Sequence, residues 1–515
     1  MINALEAGQG QQWDLCIIGG GATGLGVAVD AASRGFKTLL LEQYDFAKGT
    51  SSRSTKLVHG GVRYLQQGNI KLVTEALHER GILRKNAPHL VKDLSFIVPN
   101  YKWWEGPYYG IGLKVYDWMS GSLGLGPSRL LSREETLQQA PTLDAEGLRG
   151  GVLYHDGQFD DARLAINLAQ TAVGQGAVLL NYCQAESLLK ENEKITGVVA
   201  TDKESGKQYE IHAKAVINAA GVFSDSILRM EDPGSEPIIA PSQGVHIVLD
   251  KEFLPGTAAI LVPHTDDGRV LFAVPWHDKI IVGTTDTPVK TAAIEPRALP
   301  EEVDFILQQI GRYLSKAPGK NDIRSVFAGL RPLVKGNSKK TAELSRDHLI
   351  LLSPAGLITI TGGKWTTYRR MAEDTVNMAI QKAGLPEKPC VTTTLPIHGC
   401  PPAGTAEDTG PLHYHGTDAA AILALGDLHP QWNALLHERL PYRQAEIIWA
   451  VREELCRTVE DALSRRTRAL LLDAKAAIEC APLVAALLAG ELRKDEEWQR
   501  RQVEEFRKLA EGYVA

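Results

Sequence analysis

Residues 14–24 read DLCIIGGGATG, a short apolar run followed at once by glycines at positions 19, 21 and 24. The apolar run predicts a buried strand, and the residues that follow, up to about Arg34, predict a helix that ends before Gly35. In such a unit the first glycine permits a tight turn, the second lets the backbone approach a pyrophosphate, and the third lets the helix pack closely on the strand. A second apolar strand, residues 37–41, ends at Glu42, whose carboxylate can accept hydrogen bonds from a ribose. This stretch therefore predicts the βαβ start of a dinucleotide-binding fold.

The bulk composition is that of an ordinary globular protein with several structural units. Its 515 residues exceed what one hydrophobic core usually accommodates, and 44% are hydrophobic and 23% charged. The formal net charge of −6 argues against nucleic acid as the main partner, although a few local cations would suffice for an anionic substrate. The six cysteines follow no metal-ligand or disulfide pattern, so we expect no metal site. We also expect neither a signal peptide nor a transmembrane helix, since no suitable apolar run is present.

The hydrophobic periodicity changes along the rest of the chain. An antiparallel meander is predicted at 258–288, within a region that otherwise alternates strands, such as 348–361, with helices, such as 161–175. After about residue 390 a linker rich in Pro, Gly and Thr leads into a helical region, with clear helical periods at 443–456 and 459–478. The sequence therefore predicts an α/β fold with an α+β insert: a Rossmann-like domain, an interleaved antiparallel-sheet substrate domain and an all-α C-terminal domain.

Three short segments favour FAD over a nicotinamide cofactor. The polar run at 49–56 follows the second strand, where an extended FAD needs donors along its pyrophosphate and ribityl chain. Residues 219–221 (AAG) and 362–364 (GGK) end two further strands, and a nicotinamide cofactor usually needs no contact so far along the chain. Glu42 also disfavours a ligand that carries a 2′-phosphate, since the two negative charges would repel each other.

Several longer runs resemble the signatures of the FAD-dependent glycerol-3-phosphate dehydrogenases. The resemblance covers roughly residues 14–480, with the motifs in the family's order. The matching runs are 50–65 (TSSRSTKLVHGGVRYL), 283–286 (GTTD), 327–332 (FAGLRP), 361–369 (TGGKWTTYR) and 458–468 (TVEDALSRRTR).

The resemblance implies oxidation of sn-glycerol 3-phosphate to dihydroxyacetone phosphate, with electrons passed from FAD to a membrane quinone. Oxygen, which the related glycerol-phosphate oxidases use, is the alternative acceptor. The resemblance also implies a Rossmann-like FAD-binding domain of the glutathione-reductase type, in a protein of the cytoplasm that associates peripherally with the cytoplasmic membrane. The sequence contains no EF-hand loop pattern, which favours the bacterial type. The expected FAD-binding domain (within 1–390) comprises about 10–85, 150–240 and 325–390, interleaved with a substrate domain at 86–149 and 241–324 and followed by a helical domain at 391–515.

The reaction requires a cation for the phosphate, a base for the hydroxyl and a positive charge near the flavin. Arg63 and Arg331 match family positions at the substrate pocket and are the expected clamps, since arginine binds phosphate through a planar fork. Tyr64 is expected to orient the substrate, and Lys364 to stabilise negative charge that develops on the flavin. His246 is the preferred general base.

His59 is the alternative base, with flavin support as its favoured role, and Asp286 is expected to hold a clamp residue in place. The ordinary interpretation of each histidine, a structural side chain bonded to the backbone, is about as probable. The predicted FAD contacts are Gly19, Gly20, Gly21, Ala22, Thr23, Gly24, Glu42, Ser51, Ser52, Lys56, His59, Gly61, Ala220, Gly221, Gly363, Lys364 and Thr366.

Residues 101–118 combine three tryptophans and four tyrosines with Lys102 and Lys114. Aromatic rings interspersed with lysines suit the headgroup region of a bilayer, so this segment is the expected membrane-docking surface. An aromatic core or a homodimer interface is the alternative. For the whole chain, three other functions stay open: another flavin-dependent amine or hydroxy-acid oxidase, an NAD-dependent dehydrogenase, and a flavin-binding scaffold without catalysis.

Overall fold

The computed structural model describes residues 12–62, 69–335, 347–402, 404 and 410–515, and their strands form two sheets. In chain order the first nine strands are β1 (Trp13–Ile18), β2 (Thr38–Leu41), β3 (Leu57–Val58), β4 (Val91–Asn100), β5 (Arg129–Ser132), β6 (Gly150–Phe159), β7 (Val178–Leu180), β8 (Cys183–Glu191) and β9 (Lys194–Asp202). The following strands are β10 (Gln208–Asn218), β11 (Ile239–Asp250), β12 (Ala259–Val262), β13 (Leu271–Trp276), β14 (Lys279–Gly283), β15 (Thr287–Pro288), β16 (Ile323–Val334), β17 (His348–Leu352) and β18 (Leu357–Gly362).

The first sheet has the order β17-β18-β10-β1-β2-β7. In addition, β9 pairs with β10, and β8 pairs with β9. Strands β18, β10, β1, β2 and β7 run parallel to one another. Strands β1 and β2 are short and largely apolar on both faces, as expected of parallel strands covered by helices on either side. The predicted strand at 348–361 is wrong as a single element. It is the antiparallel pair β17 and β18, because a turn around Gly356, at φ +98°, interrupts the apolar run.

The second sheet has the order β15-β11-β14-β13-β12-β4-β6-β3, with β16 paired to β11 and β5 to β6. The predicted antiparallel meander corresponds to β12, β13 and β14. Strand β6 pairs with β4, and β16 pairs with β11, so both strands belong to this second sheet although they fall within the ranges expected for the FAD-binding domain. An apolar strand looks alike in either sheet, so only its pairing partner decides where it belongs.

The helices of the described residues pack on both sheets and build the C-terminal region. Those before residue 390 are α1 (Ala22–Ser33), α2 (Ile70–Asn86), α3 (Glu105–Ser120), α4 (Arg133–Gln139), α5 (Asp161–Gly174), α6 (Ser224–Glu231), α7 (Pro300–Gly311) and α8 (Tyr368–Ala383). Helix α1 packs between α5 and α8. The side chain of Asp160 accepts a hydrogen bond from the Arg163 N–H at 2.9 Å and so caps the start of α5.

The C-terminal helices are α9 (Ala419–Leu428), α10 (Gln444–Glu453), α11 (Val459–Asp461), α12 (Ala469–Leu472), α13 (Ala474–Leu492) and α14 (Glu496–Ala510). The single helix expected at 459–478 is wrong: a π-helical turn, Ala462–Arg466, and a break at Asp473 divide it. Thr458 and Asp461 form a capping box at the start of α11. One continuous core joins this region to the first sheet, with Leu463 and Leu470 in the same apolar cluster as Leu15. Within the described residues, no helix combines the length and apolarity needed to span a bilayer.

Candidate functional site

A cleft of about 420 Å³ opens at the carboxyl ends of the parallel strands β1, β2, β10 and β18. Its volume lies within the range of about 300–1,000 Å³ that is usual for ligand and cofactor sites. Open α/β sheets bind their ligands at this edge. The predicted residues that line it are Gly19, Gly21, Ala22, Thr23, Glu42, Ser51, Ala220, Gly221, Gly363 and Lys364.

The glycines of the first turn have the close contacts that their spacing predicts. Gly19 has a φ of +113°, and a Cβ there would lie 2.6 Å from the carbonyl oxygen of Ala219 on the neighbouring strand. At Gly24 a Cβ would lie only 1.9 Å from the carbonyl oxygen of Gly19, so the helix rests directly on the strand end. At Gly21 the nearest atom is Ser51 Oγ, at 3.1 Å. The backbone therefore leaves room for a ligand at the start of α1, where helix N–H groups favour a phosphate.

Glu42 lies at the end of β2 and is fixed by the backbone. Its Oε2 accepts a hydrogen bond from the Gly20 N–H at 2.7 Å, and its Oε1 accepts one from the Tyr44 N–H at 2.8 Å. Burial raises the pKa of this carboxyl, while the two N–H donors act in the opposite direction. Glu42 thus presents a positioned acceptor to the cleft, as a ribose hydroxyl requires.

The segment after β2 ties three elements together beside the cleft. Ser51 Oγ accepts a hydrogen bond from the Ala22 N–H at 2.9 Å, and the Ser51 carbonyl accepts one from Trp365 Nε1 at 2.9 Å. Thr50 Oγ1 donates to the carbonyl of Leu330 on β16 at 2.6 Å. The polar run at 49–56, the GGK turn and the second sheet therefore meet at one place.

Other predicted cofactor residues lie behind the cleft wall. Lys56 is fully buried, and this burial lowers its pKa to about 8. Its Nζ donates hydrogen bonds to the Ser52 carbonyl at 2.8 Å and to the Asp161 carboxylate at 2.7 Å. Thr366 Oγ1 is within hydrogen-bond distance of the backbone of His59. Gly20, Gly24, Ser52, Lys56, His59, Gly61 and Thr366 do not line the cleft, so their cofactor contacts stay predictions.

Arg331 lies on β16 next to Pro332, which lines the cleft, and its guanidinium faces the GTTD loop. Its Nη2 donates to Thr284 Oγ1 at 3.2 Å and to the Thr285 carbonyl at 3.0 Å. Its Nη1 contacts Asp286 Oδ1 at 3.2 Å, the ion pair that the sequence suggested. A Cβ on Gly244 of β11 would lie 2.5 Å from Nη2, so that glycine makes room for the fork.

His246 lies on β11, pairs across the sheet with Phe327 and stacks on its ring, with centroids 4.9 Å apart. Its Nε2 is 2.9 Å from Thr55 Oγ1. Its Nδ1 is buried and has no hydrogen-bond partner among the residues that the structure describes. Burial, together with the charges of Lys56 and Arg331, holds the pKa of His246 well below its usual value, so the ring is neutral near pH 7. Arg63 and Tyr64 lie outside the described residues.

Some cleft residues carry no signal in the sequence. Gln184 and Ala185 of β8 line the cleft, although no motif marks them. Lys48, Trp365 and Met371 also line it, and only their places beside quoted runs could have indicated them.

The cleft residues fit an FAD. Gly221 and Gly363 adopt φ values of +58° and +67°, and a Cβ on Gly363 would lie 2.4 Å from Met371 Sδ. These turns and the start of α1 let the backbone approach a cofactor closely. Along the same cleft, Glu42 provides an acceptor for a ribose hydroxyl and Lys364 provides a cation.

Comparison with known proteins gives the same assignment. Residues 14–369 match the FAD dependent oxidoreductase family, and residues 359–499 match the C-terminal domain of alpha-glycerophosphate oxidase. A probable mitochondrial glycerol-3-phosphate dehydrogenase of Caenorhabditis elegans is 43% identical over 97% of this chain and 73% of its own length. The mitochondrial glycerol-3-phosphate dehydrogenase of Homo sapiens is 40% identical with the same coverage.

Solved structures show the same likeness in three dimensions. The glycerol-3-phosphate dehydrogenase of Bacillus halodurans, complexed with FAD, is 31% identical with a TM-score of 0.80, covering 100% of this chain and 97% of that one. Glycine oxidase of Bacillus cereus, at 21% identity and a TM-score of 0.53 over 73% of this chain and 96% of its own, shares the fold alone. The chain is thus an FAD-dependent oxidoreductase and belongs to the glycerol-3-phosphate dehydrogenase family.

Proposed function

We propose that this enzyme oxidises sn-glycerol 3-phosphate to dihydroxyacetone phosphate and passes the electrons to a membrane quinone. The substrate loses a hydride from C2 and a proton from the C2 hydroxyl, and bound FAD supplies the two-electron acceptor for the hydride. The observation that carries the proposal is the guanidinium of Arg331, oriented by Thr284, Thr285 and Asp286 beside the cofactor cleft.

Arg331 is suited to bind the substrate phosphate. A planar guanidinium can form two parallel hydrogen bonds to phosphate oxygens, and anchoring by neighbouring groups reduces the entropy lost on binding. The side chain of Asp286 is 7% exposed and that of Arg331 is 21% exposed, so both groups are largely shielded from solvent, the carboxylate more than the guanidinium. In the proposal Asp286 therefore sets the direction of the fork, and Arg63 supplies a second cation.

His246 is suited to accept the hydroxyl proton. A general base must be unprotonated at the working pH, and the lowered pKa of His246 satisfies this requirement. Thr55 Oγ1 lies 2.9 Å from Nε2 and holds the ring, and in the proposal an unprotonated ring nitrogen of His246 accepts the proton. Lys364, at the cleft wall, is proposed to stabilise negative charge near the isoalloxazine ring.

Anaerobic addition of sn-glycerol 3-phosphate to the purified yellow enzyme is expected to bleach the flavin absorbance, whereas glycerol at equal concentration should leave it unchanged. The reason is that glycerol lacks the phosphate that the arginines bind. Stopped-flow absorbance near the flavin maximum measures the effect. Equal bleaching by glycerol would contradict the phosphate clamp. Reoxidation by a short-chain quinone that is slower than reoxidation by oxygen would contradict the quinone assignment.

The membrane part of the proposal depends on helix α3. Five large apolar side chains at helical spacing form an exposed stripe along it. They are Trp104 (37% exposed), Tyr108 (53%), Ile111 (69%), Val115 (40%) and Trp118 (82%). Trp103, just before the helix, is 78% exposed, and Lys102 lies beside it. Such a continuous apolar stripe flanked by lysines fits a lipid surface, and reduction of a quinone requires access to lipid.

The double substitution Ile111→Ser/Trp118→Ser is expected to reduce binding to phosphatidylcholine–phosphatidylglycerol vesicles by about tenfold or more, because each buried apolar side chain contributes roughly 1.5–3 kcal/mol. Co-sedimentation measures the bound fraction. The matched control is Leu428→Ser/Leu435→Ser, which removes side chains that are 74% and 48% exposed on the C-terminal region. Equal sedimentation of the α3 variant and the wild type would remove α3 from the docking surface.

A further inference from the structure

A buried ion cluster joins the C-terminal region to the segment that follows β2. Asp45 Oδ2 accepts hydrogen bonds from Arg465 Nε at 2.6 Å and Arg466 Nη1 at 2.7 Å, and its Oδ1 accepts one from Arg466 Nη2 at 2.7 Å. The carboxyl is fully buried, and both arginines are only 2% exposed. The two guanidinium groups hold the pKa of Asp45 at about 2, so the pair is charged near neutral pH.

A third arginine from the same turn reaches the other end of this segment. Arg468 Nη2 donates to the Ser52 carbonyl at 2.8 Å and contacts Asp161 Oδ1 at 3.1 Å. The next residue back, Ser51, accepts the hydrogen bond from the Ala22 N–H at the start of α1. The C-terminal region therefore fixes residues 45–52 at both ends.

The residues between these two attachment points form one wall of the cofactor cleft. Residues 47–51 all line it. Lys48, in the middle, forms an ion pair with Glu460, which is also bonded by Arg465. Four residues of the 460–468 segment thus contact the wall or the residues near its two ends: Arg465 and Arg466 bond Asp45, Glu460 pairs with Lys48, and Arg468 bonds the Ser52 carbonyl.

The geometry of this cluster points to a specific role for the C-terminal region: we propose that Arg465, Arg466 and Arg468 are positioning residues that hold the 45–52 segment in the shape that retains FAD. The three arginines do not line the cleft. They act through Asp45 and the Ser52 carbonyl, and so through Ser51 at the N-terminus of α1. The π-helical turn Ala462–Arg466 presents two successive arginines to the same carboxylate, a local irregularity of the kind found at functional sites.

Arg466→Lys and Asp45→Asn test this role, because lysine cannot form the two parallel bonds and asparagine loses the charge. We expect both to speed FAD release by about tenfold or more, the change that follows the loss of a charge-assisted hydrogen bond. Release is measured in the holoenzyme by the rise of flavin fluorescence after dilution, and FAD affinity by titration of the apoenzyme. If Asp45→Asn fails to fold, Arg468→Lys replaces it, because this change weakens the bond to the Ser52 carbonyl and leaves Asp45 with both of its arginines.

Glu446→Gln is the matched control. Glu446 is also a buried carboxyl of the C-terminal region, but its bonds go to Tyr414, His415 and the Arg443 N–H within that region. This variant should lower the melting temperature and leave FAD release at the wild-type rate. Wild-type release from Arg466→Lys, or equally fast release from Glu446→Gln, would overturn the proposal and reduce the cluster to an ordinary domain contact.

Discussion

The Arg331→Ala enzyme is expected to oxidise sn-glycerol 3-phosphate with a kcat/KM lowered by about 100-fold or more, most of it through KM. The loss of a guanidinium from a desolvated charge pair typically costs about 2–5 kcal/mol, which corresponds to this range. Alanine also leaves Asp286 uncompensated beside the phosphate, and repulsion between the two negative charges adds to the loss. Arg331→Lys should fall between alanine and the wild type, because a single ammonium restores charge but not the fork.

The measurement is steady-state reduction of a quinone analogue over a range of substrate concentrations. Arg324, on the same strand β16, provides a matched control. It forms an ion pair with Asp250 of β11, but the Arg324 side chain is 40% exposed and does not line the cleft. Arg324→Ala should keep kcat/KM near the wild-type value, since an exposed ion pair contributes about 0–1 kcal/mol. An Arg331→Ala enzyme with an unchanged KM would contradict the clamp assignment.

The fold could be predicted where local pattern and local contact coincide. Residues 13–42 form a complete βαβ unit. Its glycines Gly19 and Gly24 lie close together in sequence and in space, so the motif alone predicts the local structure. The membership of β6 and β16 in the second sheet could not be predicted in this way. Their apolar runs satisfy either sheet, and the choice depends on partners such as β4 and β11 that are distant in sequence.

The same distinction applies to the site. Arg331 and Asp286 were expected to meet because both lie in family motifs, and the structure brings them to 3.2 Å. Nothing in the sequence indicates that Asp45 bonds Arg465, since the two lie 420 positions apart and each alone is an unremarkable charge. The sequence also gives no indication that Gln184 and Ala185 line the cleft. They do so because β8 pairs with β9, and β9 pairs with β10 of the first sheet. Long-range contacts of this kind depend on the packing of whole elements.

Gly24→Ala should have the largest effect on the cofactor site. A Cβ there would lie 1.9 Å from the carbonyl oxygen of Gly19, and neither backbone can yield without moving α1 away from the end of β1. We expect the variant to be purified without bound flavin and to lose about 3 kcal/mol or more of unfolding free energy, at or above the usual cost of overpacking a core. The ratio of flavin to protein absorbance and urea unfolding measure the two effects.

The control for this substitution is Gly490→Ala in helix α13, where an added Cβ meets no atom within 4 Å. Alanine there should raise the unfolding free energy by about 0.5–1 kcal/mol, because it restricts the unfolded chain and favours the helix. The contrast separates a general effect of glycine replacement from the specific contact between α1 and β1. A Gly24→Ala protein that retains its flavin would mean that α1 can move away from β1 without loss of the cofactor site, and would contradict the role assigned to this close packing.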